Sequence, residues 1–182
     1  GGPAFRAPLV AEFQHSAATA NSVVQICLQW SSDNIIEPPL VVAESDGVKS
    51  QPKDSPGWSQ FCRVYDVPRI IQVLTQSLNL DGNAYLVKLL DERGNLQGLA
   101  AVPFIYVTPR VSSGRTSIER YTIGGVDYAA DRVIHFKRGV DPKDHLMGVA
   151  AIKAAMRHIL TDSQIAAYMH RICESPTPGI LI

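Results

Sequence analysis

Residues 77–86 read SLNLDGNAYL, a stretch that joins a helical pattern to a strand pattern through three turn residues. Before it, apolar residues over 67–79 recur at the spacing of one helix face, and Pro68 suits the first helical turn, where an amide hydrogen would have no partner. After it, residues 84–90 are rich in strand-forming side chains. Glycine tolerates a positive φ and asparagine bonds to nearby backbone, so we interpret the centre as a structural turn and not a ligand site. The turn residues are Asp81, Gly82 and Asn83.

Toward the N-terminus the periodicity of apolar residues is weaker. Residues 1–14 are irregular and are interpreted as an arm, while residues 15–30 show helical spacing that ends before a pair of prolines. Residues 40–43 have a short strand pattern, and residues 48–60 are polar without periodicity, which predicts a loop. Four aromatic residues have no place in these elements, and large apolar groups stranded on loops often mark interfaces. The candidate interface residues are Phe5, Trp58, Phe61 and Tyr65.

Toward the C-terminus several strand patterns precede one long helical pattern. The strand patterns cover residues 99–102, 104–108, 117–123, 126–128 and 132–136. The helical pattern runs over residues 149–173 and ends before Pro176, and we expect its apolar side to be mostly buried. That side comprises Val149, Ile152, Ala155, Met156, Ile159, Ile165, Ala166 and Met169. The order predicts an α+β fold over residues 15–182, a mostly antiparallel sheet with packed helices and one long helix.

The composition is that of a folded globular chain, since 46% of the residues are hydrophobic and 19% are charged. Lys plus Arg number 17 and Asp plus Glu number 17, so the formal net charge is zero. Proteins that grip nucleic acid tightly usually carry a basic excess, so any contact with double-stranded DNA is expected to be loose. No apolar run approaches the roughly 18 residues of a membrane span. Cys27, Cys62 and Cys173 are interpreted as reduced core thiols.

The search for catalytic motifs identifies no catalytic residue, no cofactor-binding residue and no metal ligand, and no cofactor is expected. The sequence lacks a GxxxxGK[ST] phosphate loop, a GxSxG nucleophile elbow and an HExxH zinc motif. His135 lies in a strand pattern without an evident orienting partner, so we interpret it as a half-buried structural histidine. Three basic residues around Phe136 are candidate phosphate contacts. They are Arg132, Lys137 and Arg138.

Five blocks of the chain, in this order and at about this spacing, resemble the portal proteins of long-tailed bacteriophages. The most specific block is residues 77–94, which is similar to that family's succession of helix, GNAY, strand and D-x-x-G turn. The chain departs from the family at Ala151, where proline is common, and over residues 58–65, which match no part of the pattern. The other blocks are residues 21–28 with 38–42, 102–103 with 107–109, 131–136 with 148–152, and 176–181.

The resemblance implies a structural subunit of the head–tail connector and no enzyme. Such portal subunits form a ring of about twelve copies at the capsid vertex, around a channel through which phage DNA is packaged and ejected. The resemblance implies that this chain supplies the wing region, with stem and clip elements after Ile182. It also implies contacts with terminase, the major capsid protein and a head–tail adaptor, non-specific passage of double-stranded DNA, and no membrane. The protein would be made in the cytoplasm of a bacterial host, from a phage or prophage, and reside in the virion.

Two other interpretations stay open from the residues alone. A small ligand-binding or hydrolytic α+β domain would build its site from Asp81, Asn83 and His135. A general interaction module of a capsid or tail protein would need no such site. Assembly into a large ring distinguishes the portal interpretation from both.

Overall fold

The computed structural model describes residues 16, 20–37, 42–45, 50–53, 56–114 and 116–174, and it combines helices with small antiparallel sheets. Its helices are α1 (Ser22–Ile36), α2 (Pro56–Val64), α3 (Val67–Asp81) and α4 (Met156–Glu174). Its strands are β1 (Val42–Ser45), β2 (Ser50–Lys53), β3 (Asn83–Leu90), β4 (Leu96–Val102), β5 (Val107–Val111), β6 (Ile118–Ile123), β7 (Val126–Ala129) and β8 (Val133–Lys137). Short 3-10 helices cover Phe104–Tyr106, Ala130–Arg132 and Ala151–Ala154. The α+β class predicted from the sequence is confirmed.

The first three-stranded sheet has the order β4-β3-β8, and all of its neighbours are antiparallel. Residues 83–87 of its central strand, β3, are all buried. Because alternate residues of a strand point to opposite sides, both faces of β3 are covered there. On one face Ala84 and Leu86 pack against Ile70 and Leu74 of α3. The opposite face of β3 belongs to a larger core cluster that includes Tyr85, Val87, Phe104, Val107, Tyr121 and Val133. Thus β3 lies between a helix layer and a second sheet layer.

The second three-stranded sheet has the order β5-β6-β7, so its strands pair with their neighbours in the chain. The β6–β7 hairpin turns through Gly124 and Gly125, both of which have positive φ, as the glycine pair predicts. Tyr121 of β6 is 4% exposed and packs edge-on against Tyr85 of β3, with ring centroids 5.7 Å apart. The aromatic contact joins the two sheets at the core.

The predicted loop over residues 48–60 is wrong, because this region contains β2 and the first half of α2. The strand β2 pairs with β1 from Ser45 opposite Ser50 to Val42 opposite Lys53. The helix α2 starts at Pro56, where a proline is tolerated at the first turn. Its periodicity is carried by a few aromatic residues among polar ones, a signal that is weak over nine residues.

The long C-terminal helix also differs from the prediction. A 3-10 helix at Ala151–Ala154 precedes α4, which therefore begins at Met156 instead of residue 149. Ile152 and Ile159 are buried as expected, whereas Ile165 is 57% exposed. The expectation of a mostly buried apolar side therefore holds only for the first turns of α4. Every residue over 161–174 is exposed, because the body of the described chain ends before this part of the helix.

The interpretation of the cysteines as core thiols is wrong. Cys27 and Cys173 are exposed and Cys62 is half-buried, so none of the three is a core residue. No helix in the described residues is both long and apolar enough to cross a bilayer.

Candidate functional site

At the turn after α3, the backbone at Gly82 crosses the backbone of residues 148–149 in direct contact. Gly82 ends α3 in the left-handed conformation, with φ of 80°, and donates its amide hydrogen to the carbonyl of Leu78 at 2.9 Å. A β-carbon on Gly82 would overlap the carbonyl group of Val149, and one on Gly148 would overlap the carbonyl oxygen of Gly82. The positive φ that the turn pattern predicts at Gly82 is present, and the residue also lies in close contact with a neighbouring backbone. The crossing holds the start of β3 against the segment that leads to α4.

Asn83 lies at the centre of a polar network beneath this crossing, and its side chain is fully buried. The Asn83 Nδ2 group donates to Asp81 Oδ2 at 2.9 Å and to the Asp81 carbonyl at 3.2 Å. Its Oδ1 atom accepts from the amide of Gly148 at 2.8 Å and lies 3.0 Å from the Nε2 atom of His135. One asparagine therefore ties α3, β8 and the 148–150 segment together.

His135 bridges this network to the second sheet. Because Asn83 Oδ1 is an acceptor, the Nε2 atom of His135 carries the hydrogen, and Nδ1 accepts from the Tyr121 hydroxyl at 3.3 Å. The imidazole stacks on Tyr85 with ring centroids 4.6 Å apart. Burial, assisted by the charge of Lys137, lowers the pKa of His135 to about 4, and burial raises the pKa of Tyr121 to about 12. Both side chains are therefore neutral at pH 7.

The structure brings together the three residues of the hydrolytic alternative, Asp81, Asn83 and His135. Asp81 is 2% exposed and Asn83 is fully buried, and both oxygen and nitrogen of the Asn83 amide bond to protein atoms. A general base must reach a proton of a bound substrate, and the histidine nitrogens here already bond to Asn83 and Tyr121. The arrangement is suited to holding segments together. Sequence reasoning missed Tyr121 and Gly148 as partners, since both are distant in sequence.

The three candidate phosphate contacts lie along and beyond β8. Arg132 directly precedes β8, and Lys137 is its last residue, which places their α-carbons roughly 16 Å apart at about 3.3 Å per residue. Arg138 follows Lys137 and donates from Nη1 to Asn79 Oδ1 at 3.2 Å. The strand thus groups Lys137 with Arg138 and separates both from Arg132.

Three of the four aromatic interface candidates lie on one face of α2 and its C-terminal turn, not on a loop. Trp58 and Phe61 stack with centroids 5.7 Å apart, and Phe61 and Tyr65 follow at 4.7 Å. All three are half-buried, and the Tyr65 hydroxyl donates to the Leu96 carbonyl at 3.3 Å. Phe61 also borders an apolar groove of about 400 Å³ between α3 and the first sheet. Phe5 lies outside the described residues.

A second groove, of about 570 Å³, lies between α1, the end of α3 and the start of α4. Its walls are mainly apolar, and the Asn21 Nδ2 group donates to Asp162 Oδ2 at 2.8 Å at one end. His158 and Asp162 both border this groove. Within the described ranges no group of three or more His, Cys, Asp or Glu residues could hold a metal ion. The apolar lining residues include Val24, Cys27, Leu28, Ile152, Ala155 and Ile159.

Two helices also present apolar side chains to solvent. On α1, Trp30 is 68% exposed, and two further residues of the same face are similarly exposed. On the second half of α4, Tyr168 is 65% exposed, with three more apolar neighbours at helical spacing. Contiguous exposed apolar surface of this kind usually marks a contact with another protein surface. The further residues are Val23 and Ile26 on α1, and Ile165, Met169 and Ile172 on α4.

Comparison with known proteins gives matches among solved structures alone. No protein family model and no curated protein sequence matches the chain. A chain in the neck of an empty GTA particle superposes with a TM-score of 0.73 at 16% identity, over 96% of this chain and 48% of that chain. A chain in the virion of a native gene transfer agent particle gives 0.67 at 16% identity, over 96% and 46%.

An HK97-family phage portal protein from Corynebacterium diphtheriae gives a TM-score of 0.53 at 14% identity, over 90% of this chain and 51% of that chain. The chain therefore spans about half the length of the chains that it matches. At these identities the likeness establishes the fold. The chain has a phage-portal-like α+β fold.

Proposed function

We propose that this chain forms the wing part of a portal subunit, a structural component of the head–tail connector in a phage-type particle. The observation that carries the proposal is the superposition of 96% of the chain on a chain from the neck of such a particle. Residues 15–182 would make up the wing-type domain, and residues 1–14 an N-terminal arm. Stem and clip elements would come from other parts of a longer protein, since the matched chains are about twice as long.

The assembled form would be a ring of about twelve copies around a DNA channel. Of the matched chains, one comes from a neck computed with C12 symmetry and one from a neck computed with C6 symmetry, and a ring of twelve is compatible with both. The ring would sit at the capsid vertex and contact terminase, the major capsid protein and a head–tail adaptor. The chain's zero net charge suits a channel that lets double-stranded DNA slide during packaging and ejection, because little counterion release would hold the DNA.

The buried polar network supports a structural role over an enzymatic one. The hydrogen bonds of Asp81, Asn83 and His135 join these residues to one another, to backbone and to the Tyr121 hydroxyl, which suits a role in holding the subunit's segments together. The half-buried aromatic residues of α2 and the basic pair Lys137 and Arg138 remain candidates for contacts with neighbouring subunits and with DNA phosphates.

The test is the mass of the full-length protein in solution, measured by multi-angle light scattering and native mass spectrometry. We expect a particle of about twelve subunits, and a largely monomeric 182-residue chain, because ring closure would also use stem contacts. A full-length protein that stays monomeric at micromolar concentration, even with its capsid partners present, would contradict the proposal.

A further inference from the structure

The helix α1 has an unusual division between its buried and exposed sides. Among residues 22–36, all of which are described, Ser32 alone is buried, and its side chain is fully buried. Trp30, the largest side chain of the helix, is 68% exposed. A surface helix usually turns its apolar side to the core, and the packing of that side supplies most of its stability. We therefore expect α1 to be held more weakly than α3, which buries Ile70 and Leu74.

Three side-chain hydrogen bonds hold the second half of α1 against α3. In each of them a side-chain amide of α3 donates to a side-chain oxygen of α1, over 3.0 to 3.3 Å. When two helices separate, such groups bond to water instead, so each contact adds little net stability. The donors and acceptors are Gln72 with Asp33 Oδ1, Gln76 with Ser32 Oγ, and Asn79 with Ser31 Oγ.

The first half of α1 has two further attachments. Its cap residue Asn21 donates from Nδ2 to Asp162 Oδ2 of α4 at 2.8 Å, and this bond is exposed to competition from water. Val24 and Leu28 pack against the core cluster, but both are only half-buried. Both residues border the groove of about 570 Å³ between α1, α3 and α4, so the packing beneath this half of the helix is incomplete.

The core against which α1 packs is built by other elements. Its buried members come from the two sheets, the end of α3, the 3-10 helices and the start of α4, whereas α1 contributes half-buried residues alone. Separation of α1 would uncover Ile152 and Ile159 at the groove, but it would leave the contact of Tyr85 with Tyr121 between the sheets. Elements with few buried apolar contacts open locally at a lower free energy than the core.

We infer that α1 is a strap, a helix that lifts from the rest of the fold as one unit while the two sheets, α3 and the start of α4 stay folded. The groove beside α1 widens when the strap lifts and closes when the contacts with α3 and Asp162 form again. Because all of these contacts lie within one chain, the inference depends neither on the proposed ring nor on what the exposed side of α1 meets.

Native-state hydrogen exchange of the 182-residue protein in low concentrations of urea tests the inference. The amides in the second half of α1 should be protected at least about tenfold less than the central amides of α3 and β3, because they exchange through the local opening. Their protection should also depend less on urea, since a local opening exposes less surface than complete unfolding.

Two results of this measurement would overturn the inference. Equal protection and equal urea dependence in α1 and β3 would mean that α1 separates only when the whole chain unfolds. An α1 without any protection would mean that the strap does not close.

A pair of substitutions in α1 distinguishes a strap from an integral part of the core. Ser32→Leu places a large side chain at the buried contact with α3, whereas Asn34→Leu places the same side chain at an exposed position of the same helix. We expect Ser32→Leu to lower the protection of α1 about tenfold further and to leave that of β3 within about twofold of the wild type, because lifting the helix relieves the overpacking. Asn34→Leu should leave both unchanged.

The Ser32→Leu variant can contradict the inference in two ways. If β3 also lost its protection, or if the variant did not fold, α1 would be an integral part of the core. If α1 kept its full protection, the contact with α3 would not be what holds the helix in place.

Discussion

Neither Gly82 nor Gly148 has room for a β-carbon, because the backbone of the turn and the backbone before Val149 touch there. The amide hydrogen bonds confirm the closeness, since Arg138 donates to the Gly82 carbonyl at 2.9 Å and Val149 donates to the Arg138 carbonyl at 2.8 Å. A crossing of this kind tolerates only glycine at its contact points. At the scale of single residues, this crossing and Asn83 below it fix the relation of α3, β3 and the segment before α4.

Gly82→Ala should destabilise the chain far more than Gly94→Ala. Both glycines have positive φ, near 80°, but nothing lies within 4 Å of a β-carbon on Gly94. Gly94→Ala should cost about 1–2 kcal/mol from the left-handed conformation alone. Gly82→Ala adds a backbone overlap and should cost about 3 kcal/mol or more. Urea unfolding measures both, and equal losses would show that the crossing can relax.

The stability of the chain should fall in mild acid because of His135. Its pKa in the folded chain is lowered from 6.5 to about 4 by burial and by Lys137, so between these values the unfolded state binds more protons. The free energy of unfolding should therefore decrease as the pH falls from about 6.5 to about 4, by at most about 1.4 kcal/mol per pH unit. His135→Gln should remove this part of the pH dependence. If the free energies of unfolding of the wild type and of His135→Gln changed in parallel with pH over this range, His135 would not be the cause of the pH dependence.

At the scale of elements, helices divide their surfaces between the core and the outside. The first turns of α4 bury Ile159 and half-bury Met156, while its second half is exposed. The helix α2 turns Phe61 toward the groove between α3 and the first sheet. An exposed apolar side on an otherwise well-packed element is what a subunit of an assembly offers to its neighbour.

Two substitutions in α4 should show where burial ends along this helix. Ile159→Asp places a charge in the core and should cost about 3–5 kcal/mol, because a buried carboxylate without a partner is strongly disfavoured. Ile165→Asp, six residues later at a position that is 57% exposed, should change the free energy of unfolding by less than about 0.5 kcal/mol. Thermal unfolding of the monomeric chain measures both. A large loss in Ile165→Asp would mean that another part of the chain covers this part of α4.

At the scale of the whole molecule, the charge balance governs contact with DNA. The chain carries 17 basic and 17 acidic side chains, so it offers little net attraction to phosphate. We therefore expect contact with double-stranded DNA to be weak and local, for instance at Lys137 and Arg138.

Filter binding at about physiological salt should give an affinity for double-stranded DNA that is roughly micromolar or weaker, without sequence preference. Replacing Lys137 and Arg138 by glutamine should weaken this residual binding equally for all sequences, while Arg132→Gln serves as the separated control. Nanomolar binding that depends on sequence would argue for a regulatory protein instead of a channel.

The sequence by itself determined the local turns and helix ends. Turn chemistry at Gly82, the glycine pair at the β6–β7 hairpin and Pro68 at the start of α3 each act over a few residues, so their effect can be predicted without the fold. The same holds for Asn83 as a turn residue. It does not hold for its bond to Gly148, 65 residues away, because no local pattern encodes which distant amide meets a side chain.

Only the tertiary structure decided how these turns and helix ends come together in the fold. The strands from β3 to β8 divide into two sheets because β3 takes the distant β8 as its second neighbour. This pairing brings His135 to Asn83, and the packing of the second sheet on the first brings it to Tyr121. The tertiary structure also decided that one apolar helical pattern, in α4, is buried in its first turns and exposed in its last. Helical periodicity shows that a face is apolar, but burial depends on whether another part of the protein, or another subunit, lies against it.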